Sequence, residues 1–463
     1  MSRRGFLGVG GMAAAVMAAG GLGLEPLIKG GSKALAEETV EAAETEAAGV
    51  TLTPAILRRN AALKYRADMA SYNYGLTLAA HADNGDEARY ASKIGNFSKG
   101  LPHNRFGEVD LGAYNSLSAA IASGKHADFE NVLMGGAAKM TNPQAGLAFD
   151  LEGSDSHFLV EPPPPALASA EEASEATELY WMSLLRDTNF NDYSESPLAA
   201  AAAAELSTQA DFRGLKDASG KVTRATLFRD PFVGCEVGPY ISQFMLLPTP
   251  FGTEWVSRLG RVSLPGDDHM TNFSAWLTVE NGGPADGKIS WDPVRRYLRD
   301  GRDLASWVHI DVLFQAYFNA ALIMLPGPDA SDDVTGGGLG VPLNPTNPYR
   351  SSKTQAGFGT FGPPGILGLM CEVASRALKA QWYQKWFVHR RLRPEAFGGV
   401  VHVQKTKNRY PGVLHNDILN SQAATRVHDK TGTWLLPMAF PEGSPTHPAY
   451  ASGHATVAGA SIT

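Results

Sequence analysis

The chain has 463 residues, of which 44% are hydrophobic and 19% charged, and a formal net charge of −7. That composition is ordinary for a globular protein with a sizeable core, and the acidic balance argues against a nucleic-acid partner. Two cysteines, Cys235 and Cys371, provide no disulfide framework and argue against a zinc or iron–sulfur site; both are expected to be buried as small hydrophobes.

Residues 1–36 read as an address. Ser2-Arg3-Arg4-Gly5-Phe6-Leu7 precedes a Gly/Ala-rich apolar stretch from about Gly8 to Leu24, and Ala34-Leu35-Ala36 supplies small residues for cleavage before Glu37. The pattern resembles a twin-arginine export signal and implies a periplasmic or secreted protein. A membrane anchor would need about 20 consecutive apolar residues, more than this glycine-rich run offers, so no stable membrane span is expected. Residues 37–50 are acidic and alanine-rich and are expected to form a disordered leader. Residues 51–463 are expected to form one helical domain.

Helical spacing runs from Leu52 to about Leu78. Pro162-Pro163-Pro164-Pro165 is a stiff extended break. Ala166 to Leu185 follows as an amphipathic helix, with Leu167, Ala170, Ala173, Leu179, Met182 and Leu185 recurring near helical period. Pro197 opens another helix through an alanine run. Asp230 to Tyr240 is broken by Pro and Gly before the apolar run Ile241–Leu247, and Val262 to Asp300 is turn-rich. Asp303 is a good N-cap for a single helix over Leu304–Leu325, apolar on most faces and expected to be buried. His309, Asp311, Gln315 and Asn319 within it argue against a membrane span. Residues 326–365 form a long loop rich in Gly, Pro, Ser and Asn. A helix from Ile366 runs to Arg393, where Pro394 stops it, and residues 394–451 are again irregular. No alternating strand pattern persists, so the fold class is all-α.

Two segments carry chemistry. Between Arg376 and Arg409 there are nine Lys/Arg and one acid, Glu395. A local cationic segment in an acidic protein suits a small anion, although a solvated basic surface reads equally well on local grounds. Within it, Lys385 and Arg393 are eight residues apart; at 100° per residue they lie on neighbouring parts of one helical face, with His389 between them. A lysine point charge and an arginine fork together suit a tetrahedral oxyanion. Trp386 and Phe387 read as core. Glu395 reads as a structural partner for a neighbouring arginine.

The second segment is Ser452-Gly453-His454, followed by a small apolar run to Thr463. It looks like a helix opening on an anion: a hydroxyl, exposed backbone N–H groups and an imidazole converge where the helix dipole favours negative charge. Gly453 permits close backbone approach. His454 would stand beside the anion as general acid or base. His447, between Thr446 and Pro448, forms a second wall or is a loop histidine bonded to backbone.

Together these segments resemble the vanadium-dependent haloperoxidases, which share a site pattern with the acid phosphatases. The family's Lys-x7-Arg-Pro matches Lys385 and Arg393-Pro394. Its Pro-Ser-Gly-His is Ala451-Ser452-Gly453-His454 here, with Ala in place of Pro. Gln384–Gly399, Glu442–Gly459, Asp230–Gln243 and a helix at Trp307–Ala320 are similar to the bromoperoxidase branch.

The resemblance implies a helical-bundle fold, incomplete at its C-terminal end. It implies vanadate as cofactor, held by Lys385, Arg393, Ser452, Gly453 and His454, with Lys385 and His454 catalytic and His447 in a supporting position that tunes halide use. Hydrogen peroxide, a halide (bromide preferred) and a small organic substrate are the implied reactants, and a homodimer or larger assembly is expected. The family's third motif, an Arg-x5-His whose histidine bonds vanadium, is expected some sixty residues beyond the Ser-Gly-His turn, and no Arg-x5-His upstream of that turn offers itself in a suitable setting. An acid phosphatase-type phosphomonoesterase, with the same residues holding phosphate, and an inactive fragment are the alternative readings.

Overall fold

The computed structural model describes residues 53–150, 153–325, 339–342 and 344–463. The export signal, the leader and part of the 326–365 loop lie outside them. The chain divides into two units. The described part of the smaller one, residues 53–78, 149–150 and 153–154, is built on helix α1 (Pro54–Gly75). Thr53 caps that helix, its hydroxyl accepting the Ile56 N–H, and Pro54 occupies the first helical position, where its missing donor costs nothing. Asn73 Nδ2 donates to the Gly153 carbonyl at 3.0 Å.

The larger unit begins at Ala79 and runs to Thr463, apart from residues 149–154. Its principal helices are α2 (Leu111–Ser123), α3 (Ala170–Leu185), α4 (Pro197–Leu206), α5 (Phe273–Glu280), α6 (Gly301–Ile310), α7 (Gln315–Met324), α8 (Pro363–Tyr383), α9 (Pro394–Lys407), α10 (Gln422–Thr431) and α11 (Gly453–Ile462). Short helical turns lie between them. One two-stranded antiparallel hairpin, Thr249–Phe251 with Glu254–Val256, places Pro250 opposite Trp255. The all-α class expected from sequence is the class observed.

One core lies among α3, α4, α9 and α10, where Tyr180, Trp181, Leu206, Val401 and Val427 are buried together. The Trp181 indole N–H is satisfied there by Glu205 at 2.7 Å. The face of α3 differs from the periodic one: Tyr180 and Trp181 point inward, and Leu179 and Met182 are 36% and 37% exposed. Burying two aromatic rings removes more apolar area than burying a leucine and a methionine, so they set the rotation. The helix starts at Ala170, four residues after the expected Ala166, because Ser169 supplies the cap. A second core gathers Phe97, Leu101, Tyr114 and Leu117 around Trp386, whose ring meets Phe97 edge-on at 5.3 Å.

Four expectations are corrected. The single helix over 304–325 is two, α6 and α7, bent by 95°. Asp300, not Asp303, caps α6, and Asp311 leaves helical geometry at its end. Nor is this region buried on most faces, since Val308 and Ile310 are exposed. Among the described residues no single helix is long and apolar enough to cross a membrane.

Second, the helix starting near 366 does not reach Arg393. At Gln384–His389 it widens into a π turn, with Arg390 N–H reaching back five residues to the Lys385 carbonyl at 3.0 Å. Arg390 then takes a left-handed φ of 45° and ends it. Third, Pro394 opens a helix instead of stopping one, so 394–451 is not irregular; proline fits a first turn as well as it breaks a later one. Likewise the turn-rich 262–300 contains α5. Finally, Cys235 is exposed and Cys371 half-buried; neither is the buried thiol expected.

Candidate active site

The cations of the basic segment sort by partner. Arg376 pairs with Glu372, Arg390 with Glu87, Arg391 with Glu172 and Glu175, and Arg409 with Glu108. Lys385 and Arg393 have no salt bridge among the described residues. The Lys385 side chain is only 1% exposed, and its ammonium donates to the carbonyls of Pro448 and Ala449, each at 3.0 Å. Burial, with the Arg393 charge adding, pushes it down to about 7. Burial also lowers Arg393, and its Nε is enclosed with no acceptor among the described residues.

The two cations do not share a helix face, as uniform helical spacing predicts. Lys385 sits in the π turn that ends α8; Arg393 is the N-cap residue of α9 after the chain has reversed through Arg390–Leu392. The reversal is pinned by Phe97 N–H donating to the Arg390 carbonyl at 2.7 Å and Ala449 N–H to that of Arg391 at 3.0 Å. His389, expected between the cations, is buried edge-on to Tyr450 at 5.0 Å.

His447 closes one side. Its ring lies 4.8 Å from that of Trp382, and its Nδ1 is 2.9 Å from the Pro448 carbonyl, so Nδ1 carries the proton. Burial first, then Arg393 and Lys385, push it down to about 3. It is a neutral imidazole beside two cations.

The Ser-Gly-His turn opens α11, as its sequence suggests. Ser452 is the N-cap, its Oγ accepting the Ala455 N–H at 3.3 Å, which leaves the hydroxyl proton free to donate. The turn docks on α8: a Cβ at Gly453 would stand 3.4 Å from Leu378 and 3.5 Å from Trp382. With its amide oriented to satisfy its neighbours, Gln381 accepts the Ala451 N–H at 3.0 Å and donates to Glu161 at 2.9 Å. His454 Nε2 meets the Asp311 carboxylate at 3.1 Å, with the Asp311 side chain 5% exposed and that of His454 44%. A carboxylate only accepts, so Nε2 carries the proton and Nδ1 is left to take or give one.

Sequence reasoning passed over Asp311. Its signal, an acid inside an apolar run, argues locally only against a membrane span; the helix break that aims it at His454 is a tertiary feature. Gln381 and Lys99 (below) carry no local signal. Glu395 pairs with Lys99, not with a neighbouring arginine.

A buried lysine, a half-buried arginine whose enclosed Nε has no acceptor among the described residues, a capped helix start and a histidine with a free ring nitrogen fit a tetrahedral oxyanion such as vanadate. No protein-family model matches the chain. It is 34% identical over 456 residues to a vanadium-dependent bromoperoxidase of Corallina pilulifera, covering 80% of this chain and 74% of that one. It is 35% identical over 398 residues to one from Ascophyllum nodosum, covering 82% and 69% respectively. Among solved structures, the homohexameric second vanadate-dependent bromoperoxidase of Ascophyllum nodosum matches with a TM-score of 0.79 at 30% identity, over 97% of this chain and 73% of that one. Identity at this level over most of both chains, together with a shared helical fold, places the protein in the vanadium-dependent bromoperoxidase family.

Proposed function

We propose that the protein is a vanadate-dependent haloperoxidase that uses hydrogen peroxide to oxidise bromide to hypobromous acid, which brominates small organic molecules. The observation that carries this reading is the buried Lys385 and the half-buried Arg393, neither of them salt-bridged to a carboxylate among the described residues, in a segment whose other arginines at 376, 390, 391 and 409 are. Vanadate, when bound, supplies Lewis-acid activation of peroxide toward halide.

The residues divide the remaining work. Lys385 and Arg393 hold the anion's oxygens by charge-assisted hydrogen bonds. Ser452 Oγ and the Gly453 N–H add donors at the start of α11, where the dipole favours negative charge. His454 moves a proton through Nδ1 while Asp311 fixes its tautomer. His447, neutral and against Trp382, places an uncharged ring beside the cations, suited to a halide that must approach without being trapped. The test is bromination of phenol red by the vanadate-loaded chain with peroxide and bromide; folded, loaded protein that brominates nothing overturns the reading.

Two further proposals accompany it. Ser2-Arg3-Arg4-Gly5-Phe6-Leu7 supports export by the twin-arginine route to a periplasmic or secreted location. Retained export of an Arg3→Lys/Arg4→Lys variant would remove that idea. The homohexameric neighbour supports a homo-oligomer, to be read by light scattering across a dilution series, where a monomer at every concentration decides against it.

A further inference from the structure

A second cluster of buried charge lies beside the site and has no part in the chemistry above. Lys99 and Glu395 form an ion pair at 2.7 Å with side chains 3% and 0% exposed. Lys99 Nζ also donates to the carbonyls of Glu442 at 2.7 Å and Ser444 at 2.6 Å. Glu395 takes the Ser444 N–H on Oε1 at 3.0 Å and the Ser444 hydroxyl on Oε2 at 2.6 Å. Its own carbonyl accepts the Trp276 indole N–H at 2.9 Å. Every donor on Lys99 and both oxygens of Glu395 are thus engaged, and most of the bonds end on residues 442–444.

Those residues begin a strap that runs to the Ser-Gly-His turn. Gly443 enters it at φ 69°, where a Cβ would stand 2.3 Å from Met270 Sδ and 3.3 Å from Glu395 Oε1, so only glycine fits. Further on, Thr446 is tied to Thr141 by its carbonyl at 2.9 Å. Next come His447 and then the Pro448 and Ala449 carbonyls that receive Lys385. Glu395 is also two residues from Arg393, at the start of the same helix.

We propose that Glu395 is a positioning residue for the anion site. Clamped on Ser444 and Lys99, it fixes the register of strap 444–449 against α9, and so fixes His447 and the two carbonyls that hold the Lys385 ammonium in place. The proposal rests on the vanadate reading for its functional consequence. Its structural half stands on the strap alone.

The test compares the full chain with Ser444→Ala and with the double variant Glu395→Gln/Lys99→Met. The double variant removes both charges, avoiding the stranded buried ion that makes a single deletion collapse. The expected result is a vanadate affinity weakened about 10- to 100-fold in the double variant and less in Ser444→Ala, the range typical of groups that orient ligands from behind. The amides of His447 and Ala449 should exchange faster with solvent in both variants while α3 and α10 keep their protection. Folded variants with parental vanadate affinity and parental exchange at His447 and Ala449 would overturn the proposal and leave Glu395 a stabilising pair only. A parent chain that binds no vanadate defeats the functional reading above. The exchange readout then still decides whether Glu395 orders the strap.

Discussion

Lys99 and Lys385 are both almost completely buried, and their surroundings are opposite. Lys99 has a carboxylate at 2.7 Å and two carbonyls. Lys385 has two carbonyls, a nearby arginine, and no carboxylate within salt-bridge distance among the described residues. Taking a charge out of water costs several kcal/mol unless a partner compensates it. The paired lysine is therefore structural, whereas the unpaired one is a standing demand for an anion. The same contrast separates Glu395, which Lys99 and Arg393 hold well below the usual carboxylate range against the effect of burial, from Glu280, which burial raises and whose Oε1 has no partner among the described residues.

The largest expected effect breaks the structural side of that contrast. Glu395→Ala strands the Lys99 charge in the core, and chemical denaturation should show a loss of about 3–5 kcal/mol. Lys385→Met tests the other side. It should weaken vanadate binding by about 1.5–3 kcal/mol, the worth of a charged hydrogen bond, with no loss of folding stability. A destabilised Lys385→Met would mean that the contrast is misdrawn.

The pH dependence follows with a definite sign. Burial and the Arg393 charge push the Lys385 ammonium down to about 7 in the folded chain, from an ordinary value of 10.5. Between those values the unfolded chain holds a proton that the folded one lacks, so the Lys385 contribution makes folding more favourable as pH rises through that window. Below about 7 the charged form is forced into a buried place and the penalty is full. If Lys385 holds vanadate as proposed, its charged form is the one that binds, and vanadate affinity should decline as pH rises above about 7. Isothermal titration across pH checks this, and the Lys385→Met profile should be flatter.

A smaller effect is expected at His454. Asp311→Asn keeps the shape but allows the amide to offer a donor to Nε2, reversing the tautomer. Turnover should fall about 10- to 100-fold with vanadate affinity little changed; equal losses in both would assign Asp311 to binding instead. The smallest is Ser452→Ala, which removes one cap from α11 and should cost about 1 kcal/mol of stability, together with one donor to the anion.

Much of this was legible in the residues. Ser452, Gly453 and His454 announce a capped helix start because capping is local and needs only the right side chain three positions before a backbone N–H. Lys385 and Arg393-Pro394 were legible as motif residues, but their convergence was not: a uniform helical period cannot show that the segment widens at Gln384–His389 and then reverses at Arg390. The cut at Asp311 was hidden for a similar reason, since the apolar residues on either side keep helical spacing across it. Glu395 and Lys99 are separated by nearly three hundred residues, and no local pattern joins them.

The π turn also bears on transplanting the site. On a straight helix, two residues eight apart stand about 12 Å apart along the axis and face directions about 80° apart. Two cations so placed would not stand in the relation that the π turn and the left-handed Arg390 give them here. A designed scaffold that copied Lys-x7-Arg onto an ideal helix would reproduce the motif and lose the site. What must be copied is a helix end, a left-handed residue and a new helix start, with a strap from elsewhere in the chain to hold them together.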